Sequence, residues 1–342
     1  MNKAPEDDFM KPPRSLQNVS FLVAAGLFAG APLSAPAQGW KPERPVELIV
    51  GCAPGCGPDN MARLMQRVFQ VNRYFDQPMT IQNRAGGGGA VARTYLNQFE
   101  GNGHYLYTGD RGMLAAHAMG RGGVQYTEIT PVAILFGEYI GLGVKADSPI
   151  KSGRDLIERL KKDPAAHTFG LPAGGVGSTN HQGVAGALKS AGIDVRKTRN
   201  VTFNSGALAI TAMLGGHVDV VPGSMGLWVS HQQSGAVRVI AVSSAERLPG
   251  FFSDIPTWRE QGANSVVFNW RAMFGPKGMA PAQVAYWENI LQRFLDTPEW
   301  KAELVTRSAV PKFMGSAPMK KHMEQEYPQV KALLIELELA KK

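Results

Sequence analysis

From residue 44 onward the chain repeats one hydrophobic rhythm. A short apolar run ends in a turn rich in glycine or proline, and the turn opens a segment whose apolar residues fall at helical spacing. Residues 44–50 read as a strand entering a buried sheet, and the turn at 51–58 follows. Then Met61, Leu64, Met65, Val68 and Phe69 recur at i, i+3, i+4, i+7 and i+8, the stripe of an amphipathic helix. Pro58 and Asp59 suit its first turn, by a fixed φ and by the helix dipole respectively. Residues 79–82 are strand-like and end at Asn83-Arg84-Ala85 and four glycines, before a helical 91–96. A short strand at 105–108 ends at Gly109-Asp110-Arg111-Gly112. Strands and helices in alternation predict a parallel sheet with helices on both faces.

A second unit of the same kind begins near residues 139–144. It contains a helix over 152–162, a loop at 174–181 followed by a helix, and the strand Val201-Thr202-Phe203. The loop Asn204-Ser205-Gly206, a helix over 207–214 and buried strands at 218–221 and 237–242 complete it. Past Trp270 the pattern turns helical, over 282–295, 298–307 and 319–340, and this tail is expected to pack on the first unit. The organisation predicted is a leader at 1–37, lobe 1 from 38–137 and 270–342, and lobe 2 from 138–269. A chain of 342 residues exceeds one small core and suits two lobes.

The N-terminus changes the picture. An apolar run at 21–31 is preceded by Lys11 and Arg14 and followed by Ala35-Pro36-Ala37, the order of a secretory signal cut after Ala37. Glu6-Asp7-Asp8 is foreign to such a leader, and Met10 followed by Lys11 makes a better start than Met1. No later stretch is long and apolar enough to span a bilayer, so a periplasmic chain is expected. The formal charge of +8 is spread without a run of five basic residues, unlike a nucleic-acid-binding arm. It reads either as a solvated basic surface or as a field attracting anionic solutes. The two cysteines, Cys52 and Cys56, share one loop. A disulfide forms there only if the loop curls like a helical turn, and two small half-buried thiols are the alternative.

In an open parallel sheet the ligand crevice lies beyond the carboxyl ends of the strands. The glycine-rich loops fall at such ends, where backbone N–H groups and helix dipoles make anion sites. Enzymatic chemistry finds little footing. Neither a phosphate-binding Gly-x-x-x-x-Gly-Lys-Ser/Thr nor a dinucleotide Gly-x-Gly-x-x-Gly opens the first helix. Gly223-Ser224-Met225-Gly226 lacks the spacing of a nucleophile elbow. His181 follows Ser178-Thr179-Asn180 at a helix start, where a hydroxyl serves as a cap. A binding protein without catalytic residues, metal or cofactor is expected.

Residues 50–63 resemble the V-P-F-A-A-G-G-G-T-D-x-x-A-R pattern of the tripartite tricarboxylate transporter receptors, also called the Bug family. Residues 83–89 are similar to its N-R-P-G-A-G-G, Ile129-Thr130-Pro131-Val132-Ala133 to its D-F-T-P-V-A, and Asp254-Ile255-Pro256-Thr257 to its D-V-P-T. Further matches lie at 177–181, 214–220 and 241–247. The resemblance runs from about residue 41 to the C-terminus. It implies an α/β, two-lobed periplasmic binding protein of the Venus-flytrap kind, type II-like, each lobe a parallel-rich sheet flanked by helices. It also implies a small organic carboxylate in the interlobe cleft, delivered to a large and a small membrane subunit. A receptor that presents its ligand to a sensor kinase has the same site, and a periplasmic hydrolase is the remote alternative. The chain is expected to be a monomer with no nucleic-acid partner.

Position by position, the first carboxylate cradle falls on Ala53, Pro54, Gly55, Cys56 and Gly57. The Asp that follows it is Asp59, and the hydroxyl loop is Ser178 and Thr179. The loop after the strand at 201–203 supplies Phe203, Asn204, Ser205 and Gly206. Departures are Cys52 and Cys56, then Asp110-Arg111 where small hydroxylic residues are usual, and Arg271 in place of a frequent aromatic. Arg111 is a candidate for a second ligand carboxylate, or for an ion pair with Asp110 or the neighbouring lobe. Arg271 is a second candidate anion contact. Asp59 is either a first-turn dipole partner or a receptor for a ligand amine or water.

Overall fold

The computed structural model describes residues 39–121, 123–172 and 174–341; the predicted leader and the choice between Met1 and Met10 lie outside them. Strands β1 (Val46–Val50), β2 (Met79–Asn83) and β3 (Tyr105–Asp110) pair in parallel. Helices α1 (Gly57–Val71), α2 (Ala90–Leu96) and α3 (Gly112–Ala118) follow them in turn. The predicted stripe of α1 is its buried face, from Met61 to Phe69, packed on β1 and on the C-terminal helices. Each such side chain withdrawn from water contributes about 1.5–3 kcal/mol as an upper bound.

The sixteen-residue strand β4 (Thr130–Lys145) then crosses the molecule. After it come α4 (Gly153–Lys162), β5 (Thr168–Leu171), α5 (Thr179–Ser190), β6 (Arg199–Thr202), α6 (Gly206–Leu214), β7 (Val220–Ser224), α7 (Val229–Gln233) and β8 (Val237–Val242). The chain returns through β9 (Phe268–Gly275), α8 (Pro281–Leu295), α9 (Pro298–Arg307), β10 (Val310–Gly315) and α10 (Ser316–Glu336). The strands form one curled sheet in the order β2-β1-β3-β9-β4-β7-β5-β6, with β8 and β10 also paired to β4.

β4 changes partners along its length. Residues 130–139 pair with β9 and residues 140–144 with β7, both antiparallel. Apolar cores line each half: two hold residues from 46–136 and 270–334, and two hold residues from 142–263, one of them joined by Leu337 after α10. Glycines let the second half close, because a Cβ on Gly143 would lie 2.5 Å from the ring of the buried Trp228. Trp228 Nε1 donates to the Gly223 carbonyl at 3.2 Å, which pins the turn after β7 against β4.

Two expectations are corrected. The chain past Trp270 does not turn helical at once, since β9 continues to Gly275 and joins β3 to β4. β4 starts at Thr130, nine residues before the predicted strand. Both strands are buried on two faces, so their sequences carry no polar alternation to mark them.

Candidate functional site

The first loop is built from beneath. Cys52 and Cys56 are joined by a disulfide, and Cys56 is the N-cap residue of α1, with Pro58 in its first turn. Ala53, Pro54, Gly55 and Gly57 are exposed at the loop's rim, with Cys56 half-buried. Gly55 has φ +83°, a conformation glycine adopts without Cβ strain. Its N–H turns inward to Asp59 Oδ2 at 2.8 Å. Asp59 is 0% exposed and also accepts from Asn83 Nδ2 (2.9 Å) and twice from Arg63 (2.8 and 3.1 Å). Burial pushes its carboxyl pKa up, but the hydrogen bonds from Arg63, Gly55 and Asn83 outweigh burial and hold it below the ordinary value. The side chain thus ties the loop, α1 and the end of β2 into one unit.

Asp110 ends β3 and stands opposite Arg271 on β9. Its Oδ1 accepts from the Gly112 N–H at the start of α3 (2.8 Å), and its Oδ2 from Arg271 Nη1 (2.6 Å). Arg271 Nη2 reaches Glu138 Oε2 at 3.4 Å, so the guanidinium lies between two carboxylates. Arg111 points elsewhere and is 7% exposed. Its Nε donates to Glu326 Oε1 on α10 at 2.6 Å, and its Nη1 to Gln182 Oε1 on α5 at 2.7 Å. The ion pair Arg111–Asp110 weighed from the sequence is not formed; β3 ends at Asp110 and the backbone turns to helical dihedrals at Arg111, which sends the two side chains in different directions. Arg111 instead links the first half of the sheet, through α10, to a helix of the second.

The second half contributes helix starts. Ser178 N-caps α5 and Ser205 N-caps α6, accepting from His181 N (3.3 Å) and Leu208 N (3.2 Å). Ser178 and His181 are therefore not a nucleophile and its base. The buried His181 ring uses Nδ1 to accept from the Gly177 N–H at 3.1 Å, and burial lowers its pKa to about 4, which keeps it neutral. Phe203 is half-buried in the core beside β7, while Asn204 is exposed. Gly206 packs under Leu227, whose Cδ2 is 2.9 Å from where its Cβ would sit. Thr179 Oγ1 is buried without a hydrogen-bond partner among the described residues.

Several contacts bring these pieces together. A Cβ on Gly112 would be 2.8 Å from Asp110 Oδ1 and 3.8 Å from Thr179 Oγ1, so the starts of α3 and α5 face each other. Arg307, at the end of α9, has Nη1 3.8 Å from the Cβ position of Gly57 and its carbonyl 3.3 Å from that of Gly226. It spans the first loop and the turn after β7, and its Nε is held by Glu303. Asn269 Nδ2 donates to Ser224 Oγ at 3.3 Å across the junction of the two halves. Among the described residues no backbone hydrogen bond joins Asn204 to Ala53 or Pro54 of the first loop.

Sequence reasoning missed Glu138, Gln182, Asn269, Arg307 and Glu326. Glu138 left a usable trace, a lone carboxylate within the apolar run 132–144. Gln182, 0% exposed on α5, left none, because its partner Arg111 is 71 residues distant. A separate cavity of about 210 Å³ lies on the opposite face of the same strands, lined by Tyr139, Phe268, Val310, Lys312, His322 and Glu326. Among the described residues no His, Cys, Asp and Glu cluster suits a metal, and no helix is long and apolar enough to cross a membrane.

The chain is similar over 95% of its length, and 99% of the relative's, to the UPF0065 protein in the gbd 5′ region of Cupriavidus necator, at 26% identity. The fold matches the periplasmic binding protein BugD with a TM-score of 0.77 at 23% identity, covering 88% of this chain and 100% of that one. It also matches MatC from Rhodopseudomonas palustris with bound malate, with a TM-score of 0.75 at 25% identity over 86% of this chain and 100% of that one. The mixed α/β fold with its curled sheet described above is therefore that of periplasmic binding protein structures. The family model described as tripartite tricarboxylate transporter family receptor (TctC) matches residues 62–339, and the chain belongs to that family of solute-binding receptors.

Proposed function

We propose that this receptor captures a small organic carboxylate between its lobes and presents it, as a monomer, to the large and small membrane subunits of a tripartite transporter. The lobes are 38–137 with 270–342, and 138–269. Their boundary is supported by the change of partners of β4 between Tyr139 and Ile140. Residues 1–37 are the export leader, removed after Ala37, and the working compartment is the periplasm.

The observation that carries the reading is the convergence of helix starts from both halves. The turn 224–227 is touched by the first residue of α6 on one side and by Arg307 on the other, and Arg307 also lies against the start of α1. The start of α5 faces Asp110 and Gly112. Helix N-termini carry unpaired N–H donors and a partial positive charge, which suits a carboxylate. The malate bound by MatC is a precedent in a relative of the same fold. Closure follows if the ligand's contacts to the two lobes favour the closed state. Ala53, Pro54, Gly55, Cys56 and Gly57 supply main-chain donors, Thr179 supplies a hydroxyl, and Asp59 acts from behind the loop.

A thermal-shift panel of mono- and dicarboxylates on the mature chain tests this. A ligand at one hundred times its Kd adds about 2.7 kcal/mol to stability, so a true ligand raises the melting temperature in a saturable manner. If no carboxylate does so at millimolar concentration, the reading fails.

A further inference from the structure

The central strands have a second face. On β4 and β9, Glu138 stands opposite Asn269, and Tyr139 opposite Phe268. Alternation along a strand sends the first pair to one face of the sheet and the second to the other. Trp270 shares the face of Phe268 and donates its Nε1 to Glu326 Oε2 on α10 at 2.8 Å. There Tyr139, Phe268, Val310, Lys312, His322 and Glu326, all half-buried, enclose the cavity of about 210 Å³. Its floor is the last rung of β4 with β9, next to the rung at which β4 takes up β7. Its walls come from β10 and α10.

The cavity has one charge to spare. The pairing of β10 with β4 shifts register between Pro311 and Met314, and such a bulge re-aims the side chains within it. Lys312 lies in this irregularity, with Nζ 5.2 Å from the centroid of the Phe268 ring. Among the described residues it has no ion pair. The carboxylate in the wall is already matched. Glu326 Oε1 accepts from Arg111 Nε at 2.6 Å, and its Oε2 has Trp270 Nε1 at 2.8 Å and His322 Nε2 at 3.4 Å. Lys312 and Arg111 against Glu326 leave a formal charge of +1. Burial is the main cause that holds the His322 pKa below its ordinary value; Glu326 pulls it up, while Lys312 and Arg111 push it down.

The remaining wall is apolar. The rings of Tyr139 and Phe268 meet edge to face with centroids 5.3 Å apart, and Val310 lies beside them. A half-buried ammonium is costly without a counter-charge, and a single spare cation matches a monoanion. The volume suits one ring or a short chain, below the roughly 300 Å³ at which pockets for drug-sized ligands begin. We infer that this cavity is a second binding site, for a small monoanion carrying an apolar body. The anionic head sits on Lys312 beside His322, and the body lies against Phe268, Tyr139 and Val310. The site is on the other face of the sheet from Glu138 and Asn269, and it does not rest on the carboxylate reading of the cleft.

Benzoate and benzenesulfonate are the probes, with benzamide as the uncharged control. Calorimetry on the mature chain measures affinity, and NMR of the His322 ring nitrogens, assigned with His322→Gln, reports position. At least one anion should bind saturably with a Kd of about 1 mM or tighter, and benzamide at least about tenfold more weakly. The bound anion should move the His322 signals and raise the pKa of that ring, because a neighbouring anion favours the imidazolium. Lys312→Met should weaken the anion at least about tenfold, and Lys312→Arg should retain most of the affinity. Lys312→Gln gives the same reading should Lys312→Met fold poorly. Saturable binding that leaves the His322 signals unmoved, or that survives loss of the Lys312 charge, places the anion elsewhere. Either result overturns the inference and leaves the cleft reading intact. Equal binding of benzamide, or no binding of either anion at about 10 mM, overturns it as well.

Discussion

Replacing Asp59 tests whether the first loop is held by a buried carboxylate from behind. In Asp59→Ala the Gly55 N–H, the Asn83 amide and the Arg63 guanidinium all lose their acceptor. Gly55 is exposed and finds water, whereas Asn83 is half-buried and is left with the Cys52 carbonyl. Hydrogen bonds to a charged group contribute about 1.5–3 kcal/mol each, and an exposed ion pair at i, i+4 only about 0.3–0.5. With solvent recovering part of the loss, the expected cost is about 2–3 kcal/mol. Asp59→Asn retains one acceptor oxygen and should cost about half as much. Urea unfolding of both variants, with Asn83→Ala and the double variant, reads the cost and its coupling. The pH dependence is a second arm. The folded carboxyl titrates below its unfolded value of about 3.9. Its stabilisation is therefore complete above that value and is lost as pH falls through the lower, folded one. The gap between native and Asp59→Asn proteins should narrow below about pH 4. An Asp59→Ala protein within about 0.5 kcal/mol of native at neutral pH, smaller than any buried charged bond, refutes the reasoning.

Two further outcomes follow from the geometry. Gln182→Ala removes the 2.7 Å bond from Arg111 to α5 but leaves the Arg111–Glu326 pair; if ligand binding draws the proposed lobes together onto this charge-assisted bond of about 1.5–3 kcal/mol, its loss lowers ligand affinity by about tenfold or more. Calorimetry showing unchanged affinity would remove this bond from the closure mechanism. Replacing Cys52 and Cys56 together by serine releases a five-residue loop, which loop-closure entropy puts at about 2 kcal/mol of unfolding free energy; equal urea midpoints and slopes, or two titratable thiols in the unreduced native protein, would contradict it.

The legible parts of the fold were those with local causes. The stripe of α1, the serine caps of α5 and α6, and the turns that require glycine each leave a mark within a few residues of sequence. β9 and the first half of β4 left none, because a strand buried on both faces has no alternation, and β10 is an edge that pairs with β4 alone among the described residues. The candidate site divides in the same way. Asp110, Arg111 and Arg271 stood out as charges where small or aromatic residues are usual, but their partners are 161 and 215 residues away for Arg271–Asp110 and Arg111–Glu326. Local sequence marks an unusual arginine; only the topology says what it faces.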